Sequence, residues 1–155
     1  ISDERKLLLD TGGGIFKGTE PFNENPFIVI NPDTIWNNGY LDELNKLEKI
    51  FFKENKSSLL LVKKDNSFDT SFKGDFNLSD NLVSRDLENE FIFTGAQILN
   101  RKIFQSVSKK IFSMNAIWDI LIQKRNLIGI ESHQKFYHVN TKHTYDQILK
   151  LKSID

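Results

Sequence analysis

Asp33 stands just past an unbroken apolar run, Phe27-Ile28-Val29-Ile30, from which only Asn31 and Pro32 separate it. A carboxylate placed there can do metal chemistry. Ligands of open α/β sheets sit beyond the carboxyl ends of the strands, and hard cations prefer carboxylate oxygen. The same residue can equally start a turn after a strand, and the stretch alone leaves both readings open. A second candidate is Thr11-Gly12-Gly13-Gly14, where missing side chains let backbone approach a ligand closely or turn at positive φ. A bare triple glycine is as often a flexible loop. With Thr11 before it and the amphipathic Ile15-Phe16-Lys17 after it, the stretch reads as a loop leading into a short helix at Gly14, whose free N–H groups face a ligand. The histidines at 133, 138 and 143 fall five residues apart, which matches neither one helix face nor a zinc signature. His133 and His143 therefore read as surface residues.

The elements that must position these groups follow from periodicity. The run from Phe27 reads as a strand buried on both faces of a parallel sheet. Leu41, Leu44, Leu47 and Phe51 recur at helical spacing and predict an amphipathic helix from Leu41 to Lys53. Leu59-Leu60-Leu61-Val62 is a second buried strand, so strand, helix and strand follow in the order of a right-handed βαβ unit. Gly74 to Leu78 alternates like a half-exposed strand, Asp80-Asn81 turns, and Leu82-Val83 returns. Phe91 to Leu99 is a third apolar strand, interrupted by Thr94-Gly95, where glycine suggests a bulge or a close approach to a ligand. Beyond it come a helical turn at Ile103-Phe104, a helix from Ala116 to Gln123, and strands at Asn126–Ile130 and Phe136–Val139. A turn at Ser132–Gln134 separates those two strands, and a helix from Lys142 to Lys152 closes the chain.

Composition narrows the classes. At 155 residues with 39% hydrophobic content the chain suits one α/β domain with a real core. Twenty-one basic residues cancel twenty-one acidic ones, which gives no footprint for nucleic acid or for an anionic membrane. Without cysteine there is neither a disulfide framework nor a thiolate metal site. No apolar run approaches membrane-spanning length, and the expectation is a cytoplasmic protein. The chain opens at Ile1 without methionine and is expected to continue something longer.

Six segments in series then resemble one family: Leu8–Ile15, Asn31–Trp36, Gly74–Phe76, Phe93–Ile98, Phe112–Asp119 and His138–Thr141. Their order and spacing resemble the sugar-phosphate nucleotidyltransferases, in particular the N-acetylmuramate-1-phosphate uridylyltransferase and mannose-1-phosphate guanylyltransferase group. The resemblance implies a Rossmann-like three-layer fold with a mixed, mostly parallel sheet. It also implies Mg²⁺-dependent joining of a nucleoside triphosphate to a sugar 1-phosphate with release of pyrophosphate. UTP and N-acetylmuramate 1-phosphate are the favoured substrates. Asp33 matches the metal-binding and catalytic Asp, and Thr11, Gly12 and Gly13 match the nucleotide-binding segment. Gly74, Asp75, Thr94, Gly95 and Asn115 match the sugar-phosphate side, with Ser113 beside Asn115, and Arg85 lies where a basic residue can meet the sugar phosphate.

The departures matter too. His138-Val139-Asn140-Thr141 stands where most relatives have Asp-Val-Gly-Thr, so the second metal position falls to His138, an imidazole that binds Mg²⁺ less well than a carboxylate. Pro32 takes the place of the usual glycine. The family's Gly-x-Gly-Thr-Arg loop, which cradles the triphosphate, should precede everything here, and nothing between Ile1 and Asp10 matches it. The expectation is therefore that residues 1–155 form the C-terminal two-thirds of one nucleotidyltransferase domain, lacking its first strand. A glycosyltransferase using a nucleotide sugar, or a non-catalytic fragment, are the alternatives.

Overall fold

The computed structural model describes residues 3–22, 26–105 and 107–151. Ser2, the Asn23–Asn25 part of the link into the first strand and the expected helix end at Lys152 lie outside them. In chain order the described elements are α1 (Asp10–Gly18), β1 (Phe27–Ile30), α2 (Tyr40–Glu54), β2 (Ser57–Lys63), β3 (Asn77–Ser79) and β4 (Leu82–Ser84). Then come β5 (Phe91–Leu99), α3 (Met114–Gln123), β6 (Leu127–Ser132) and α4 (Lys142–Ile148). Short 3-10 turns at Lys64–Asn66 and Arg101–Phe104 follow β2 and β5.

The strands form one six-stranded sheet in the order β1-β5-β2-β6-β4-β3. β2 and β5 are its buried centre: Ser57 to Val62 of β2 are all buried, as the apolar run Leu59 to Val62 demands. Its side chains divide the core. Leu59 and Leu61 face a large cluster with Phe76, Trp118, Leu121 and Leu127, reached from α1 by Ile15. Leu60 faces Tyr40, Leu47 and Phe51 of α2, together with Ala96 and Ile98 of β5. Helix layers on both faces of a sheet make the three-layer α/β architecture expected. Each such fully buried Leu or Phe contributes about 1.5–3 kcal/mol over its exposed state.

Three expectations about the sheet need correction. β5 pairs antiparallel with both β1 and β2, and β2 pairs parallel only with β6. Because β4 also opposes β6 and β3, four of the six strands point one way with single reversed strands between them. Directions are mostly parallel; neighbours are mostly antiparallel. The βαβ unit is accordingly split, with β5 inserted between β1 and β2. Finally, β1 is an edge strand among the described residues and only half buried: Phe27 and Val29 pack on the core, while Ile28 and Ile30, 48% and 44% exposed, point to the other face.

Two local outcomes also differ. α1 begins at Asp10, four residues before Gly14, and takes the glycines into the helix. Helical glycine costs about 1 kcal/mol relative to alanine, so something outside the helix must hold it. That is the bend at residues 110–112: Gly13 N donates to the Phe112 carbonyl at 3.0 Å, and Phe112 N donates to that of Leu9 at 3.2 Å. A Cβ at Gly12 would meet the Phe112 ring at 2.5 Å, and one at Gly13 the Lys110 carbonyl at 2.4 Å. The missing side chains of Gly12 and Gly13 leave room for residues 110–112. Phe136–Val139, expected as a strand, instead makes isolated bridges, Phe136 to Ser67 and His138 to Thr34.

Candidate functional site

The carboxyl ends of β1, β2 and β6 share one edge of the sheet with the amino end of β5, and the candidate residues gather along it. Asp33 follows β1. Its carbonyl accepts from Val139 N at 2.7 Å, and Ile35 N donates to the Tyr137 carbonyl at 2.9 Å. With the Thr34–His138 bridge between them, these contacts fix the loop after β1 against the segment after β6. His138 Nδ1 lies 3.8 Å from Asp33 Oδ1, the imidazole side chain 22% and the carboxylate 46% exposed. The His138 ring stacks on Phe136 and meets the Phe72 ring edge-on. Nearby, Asp69 accepts from the Ser71 hydroxyl at 2.6 Å and from Asn140 Nδ2 at 3.5 Å. Its pKa is held below the usual carboxylate range, chiefly by the Ser71 hydroxyl and amide and less by Asn140 and His138.

β5 carries the arrangement onward. Thr34 Oγ1 donates to the Thr94 carbonyl at 2.7 Å, and Thr94 Oγ1 donates to the Leu60 carbonyl at 2.9 Å, so both threonines are buried structural ties. Gly95 sits at φ +97° beside Asn31, whose Cβ would lie 2.7 Å from an added Cβ. A register shift between Leu59 and Leu61 falls opposite, so the bulge expected at Thr94-Gly95 occurs, and the close approach there is to Asn31.

One residue earlier on β5, Phe93 N donates to Asp75 Oδ2 at 2.9 Å. Asp75 follows Gly74, which is at φ +86° and whose missing side chain leaves room for the Asn89 carbonyl. Arg85 then binds three acceptors at once: Asp75 O at 3.1 Å, Asp119 Oδ1 at 2.7 Å and Asn115 Oδ1 at 2.5 Å. Its guanidinium lies over the Phe76 ring, 4.4 Å from the centroid. Asn115 and Asp119 are one helical turn apart on α3, which is why one planar fork reaches both. Ser113 caps α3 by accepting from Asn115 N, and Thr11 Oγ1 of α1 accepts from Met114 N at 3.0 Å.

Nearly all the candidates expected from the sequence thus fall on one run of contacts, from Thr11 through Asn115, Arg85, Asp75 and Thr94 to Asp33 and His138. Gly12 and Gly13 lie in α1 beside Thr11, filled over by residues 110–112. Two residues were not singled out from sequence. Asp119 completes the Arg85 network, and its four-residue spacing from Asn115 was the signal available. Glu43 on α2 is buried, accepting from the Ser132 hydroxyl at 2.6 Å and from His133 N at 2.9 Å, and so ties the turn before Phe136–His138 to the helix. Nothing local in the sequence foretells that long-range contact. Burial, with the Glu43 charge beside it, pushes the Tyr40 hydroxyl pKa well up.

Among the described residues no group of three or more His, Asp or Glu side chains could hold a metal by itself. The donor set at Asp33 and His138 fits Mg²⁺ in one way, as an exposed carboxylate anchor with remaining positions filled by water and substrate phosphate. No helix of the described residues is long and apolar enough to cross a membrane.

No protein-family model matches the sequence, and no curated protein matches it at significant similarity. Solved structures do. HddC from Yersinia pseudotuberculosis, complexed with GMP-PN, aligns over 90% of this chain and 60% of its own, at 24% identity and TM-score 0.64. The inositol-1-phosphate CTP transferase from T. maritima aligns over 88% and 58%, at 13% identity and TM-score 0.68. The UDP-glucose pyrophosphorylase from Acinetobacter baumannii aligns over 92% and 55%, at 11% identity and TM-score 0.71. The chain thus spans 55–60% of the length of these neighbours. At such identities the likeness shows the fold: this chain has the mixed-sheet α/β architecture that these nucleotide- and sugar-phosphate-related proteins share.

Proposed function

We propose that this chain carries the metal- and sugar-binding part of a sugar-1-phosphate nucleotidyltransferase. The reaction is in-line attack by a sugar 1-phosphate oxygen on the α-phosphate of a nucleoside triphosphate, with pyrophosphate leaving. UTP and N-acetylmuramate 1-phosphate are the favoured pair, on the residues that resemble the uridylyltransferase group. The observation that carries the reading is the run of contacts linking Thr11, Asn115, Arg85, Asp75, Thr94, Thr34, Asp33 and His138 along one sheet edge. The fold shared with a CTP transferase and a UDP-glucose pyrophosphorylase supports it.

Each residue has a task in this reading. Asp33 offers a half-exposed carboxylate to Mg²⁺, which when bound neutralises phosphate charge. His138, held by its ring stack and by the bridge to Thr34, lies beside that carboxylate. Asp75 uses Oδ2 to accept from Phe93 N and keeps Oδ1 for a sugar hydroxyl. Arg85, engaged with three acceptors, orients Asn115 and Asp119 and keeps its remaining N–H groups for the sugar phosphate. Thr11 accepts from Met114 N and can still donate its own proton to a nucleobase. Positioning of this kind is what phosphoryl-type transfer chiefly requires.

The test is pyrophosphate release from UTP and N-acetylmuramate 1-phosphate with Mg²⁺, in a protein in which this chain is joined to a triphosphate-binding loop. Asp33→Asn should abolish it. Wild-type rates in that variant would remove Asp33 from the metal role. Consumption of a nucleotide sugar without pyrophosphate chemistry would mark a glycosyltransferase instead.

A further inference from the structure

At the opposite end of the sheet from Asp33 lies a second cleft, of about 430 Å³. Residues preceding β2 (Asn55, Lys56) and β6 (Asn126) line it, as does Asn100 after β5. Since β1, β2 and β6 point the same way, this is the amino end of the strands whose carboxyl ends carry the candidate site. The two places have no residue in common.

Its chemistry is one-sided. Lys56, Lys102 and Lys124 line it from three different elements, and no carboxylate does so among the described residues. None of the three is in an ion pair among the described residues. Lysines near helix C-termini often serve the helix dipole, and both α2 and α3 end here. Those ends are nevertheless closed by their own backbone. Asn55, left-handed at φ 50°, donates its N–H to the Phe51 carbonyl at 2.8 Å. Arg125, at φ 54°, donates to Ile122 O at 2.9 Å, and Asn126 donates to Leu121 O at 2.8 Å, the paired bonds of a Schellman ending. The ammonium groups are left with hydrogen-bond donors to spare. The larger part of the lining is polar, and the apolar part includes Ile103 and Ile120. The volume lies in the range of small-molecule sites.

We propose that this cleft is a second ligand site, for a small organic phosphate bearing an apolar group. The phosphate meets the three lysines, each a compact cation with three donors. The apolar group lies along Ile103 and Ile120, the more exposed apolar side chains of the lining.

The experiment is an NMR titration of the ¹⁵N-labelled chain with phenyl phosphate, with phenol and inorganic phosphate as separate controls. Saturable amide shifts are expected at residues 55–57, 102–105 and 124–126, stronger at low salt. The triple variant Lys56→Gln, Lys102→Gln, Lys124→Gln should bind at least tenfold more weakly while keeping its dispersed spectrum. The matching Lys→Arg triple variant should bind phenyl phosphate within a few-fold of wild type. The proposal is overturned by any of four results: no saturable shift, equal binding of phenol or of inorganic phosphate, shifts centred on Asp33 and His138, or unchanged affinity in the Lys→Gln variant. Because the cleft shares no residue with the candidate site, this result stands apart from the outcome of the pyrophosphate assay.

Discussion

Arg85 shows how much of the site rests on single side chains. Its three acceptors come from the loop before β3 and from two positions on α3, so one guanidinium ties that loop to the helix in the candidate site. Arg85→Lys keeps the charge but loses the planar fork. In an active form of the protein it should raise KM for the sugar phosphate about tenfold, the scale of a lost charge-assisted hydrogen bond. Steady-state kinetics read this, and the unfolding midpoint should move little. Gly95 is a stability matter instead. Alanine there would be held at φ +97° with its Cβ 2.7 Å from Asn31 Cβ. Urea unfolding of Gly95→Ala should show a loss of about 2 kcal/mol or more, from backbone strain and overpacking together. Both residues were legible as candidates in the sequence, Arg85 only by resemblance and Gly95 because a glycine interrupts an apolar strand. Of the acceptors that give Arg85 its geometry, Asp75 and Asn115 were candidates too, but Asp119 was not, since it lies 34 residues away.

Elements were legible where the local pattern and the fold agree. β2 and α2 stand almost where their apolar runs put them, because a fully buried strand and an amphipathic helix each have one way to hide such faces. β1 has the same kind of run and is an edge strand, since four apolar residues say nothing about how many neighbours a strand has. The start of α1 was placed too late because three glycines read as a loop leading into a helix, and the segment that holds them helical lies about 100 residues on. The turn carrying the chain toward His138 is likewise held from afar, by Glu43 on α2. Glu43→Ala would leave the Ser132 hydroxyl and the His133 N–H without their acceptor. A loss of about 2–3 kcal/mol in urea unfolding is expected, as for buried groups stripped of a charged partner. Little change there would mean that water replaces the carboxylate.

For the whole molecule, the chain spans 55–60% of the length of its structural neighbours, and the proposed chemistry needs a triphosphate cradle besides the residues described. Residues 1–155 alone are expected to show no pyrophosphate release. A protein joining them to a Gly-rich phosphate loop is expected to turn over, and equal rates in the two would refute this division of labour. The six-stranded order has another consequence, which is temporal. β1 and β2 are made within a stretch of about 35 residues, yet the strand that belongs between them is β5, residues 91–99. Until that strand arrives, a slot of unpaired backbone N–H and C=O groups stays open between two apolar edges. Closing it requires contacts far apart in sequence, which slows folding and leaves strand edges exposed meanwhile. On the ribosome, α2 can form early, but the sheet that gives Asp33 its place cannot assemble until Leu99 has emerged.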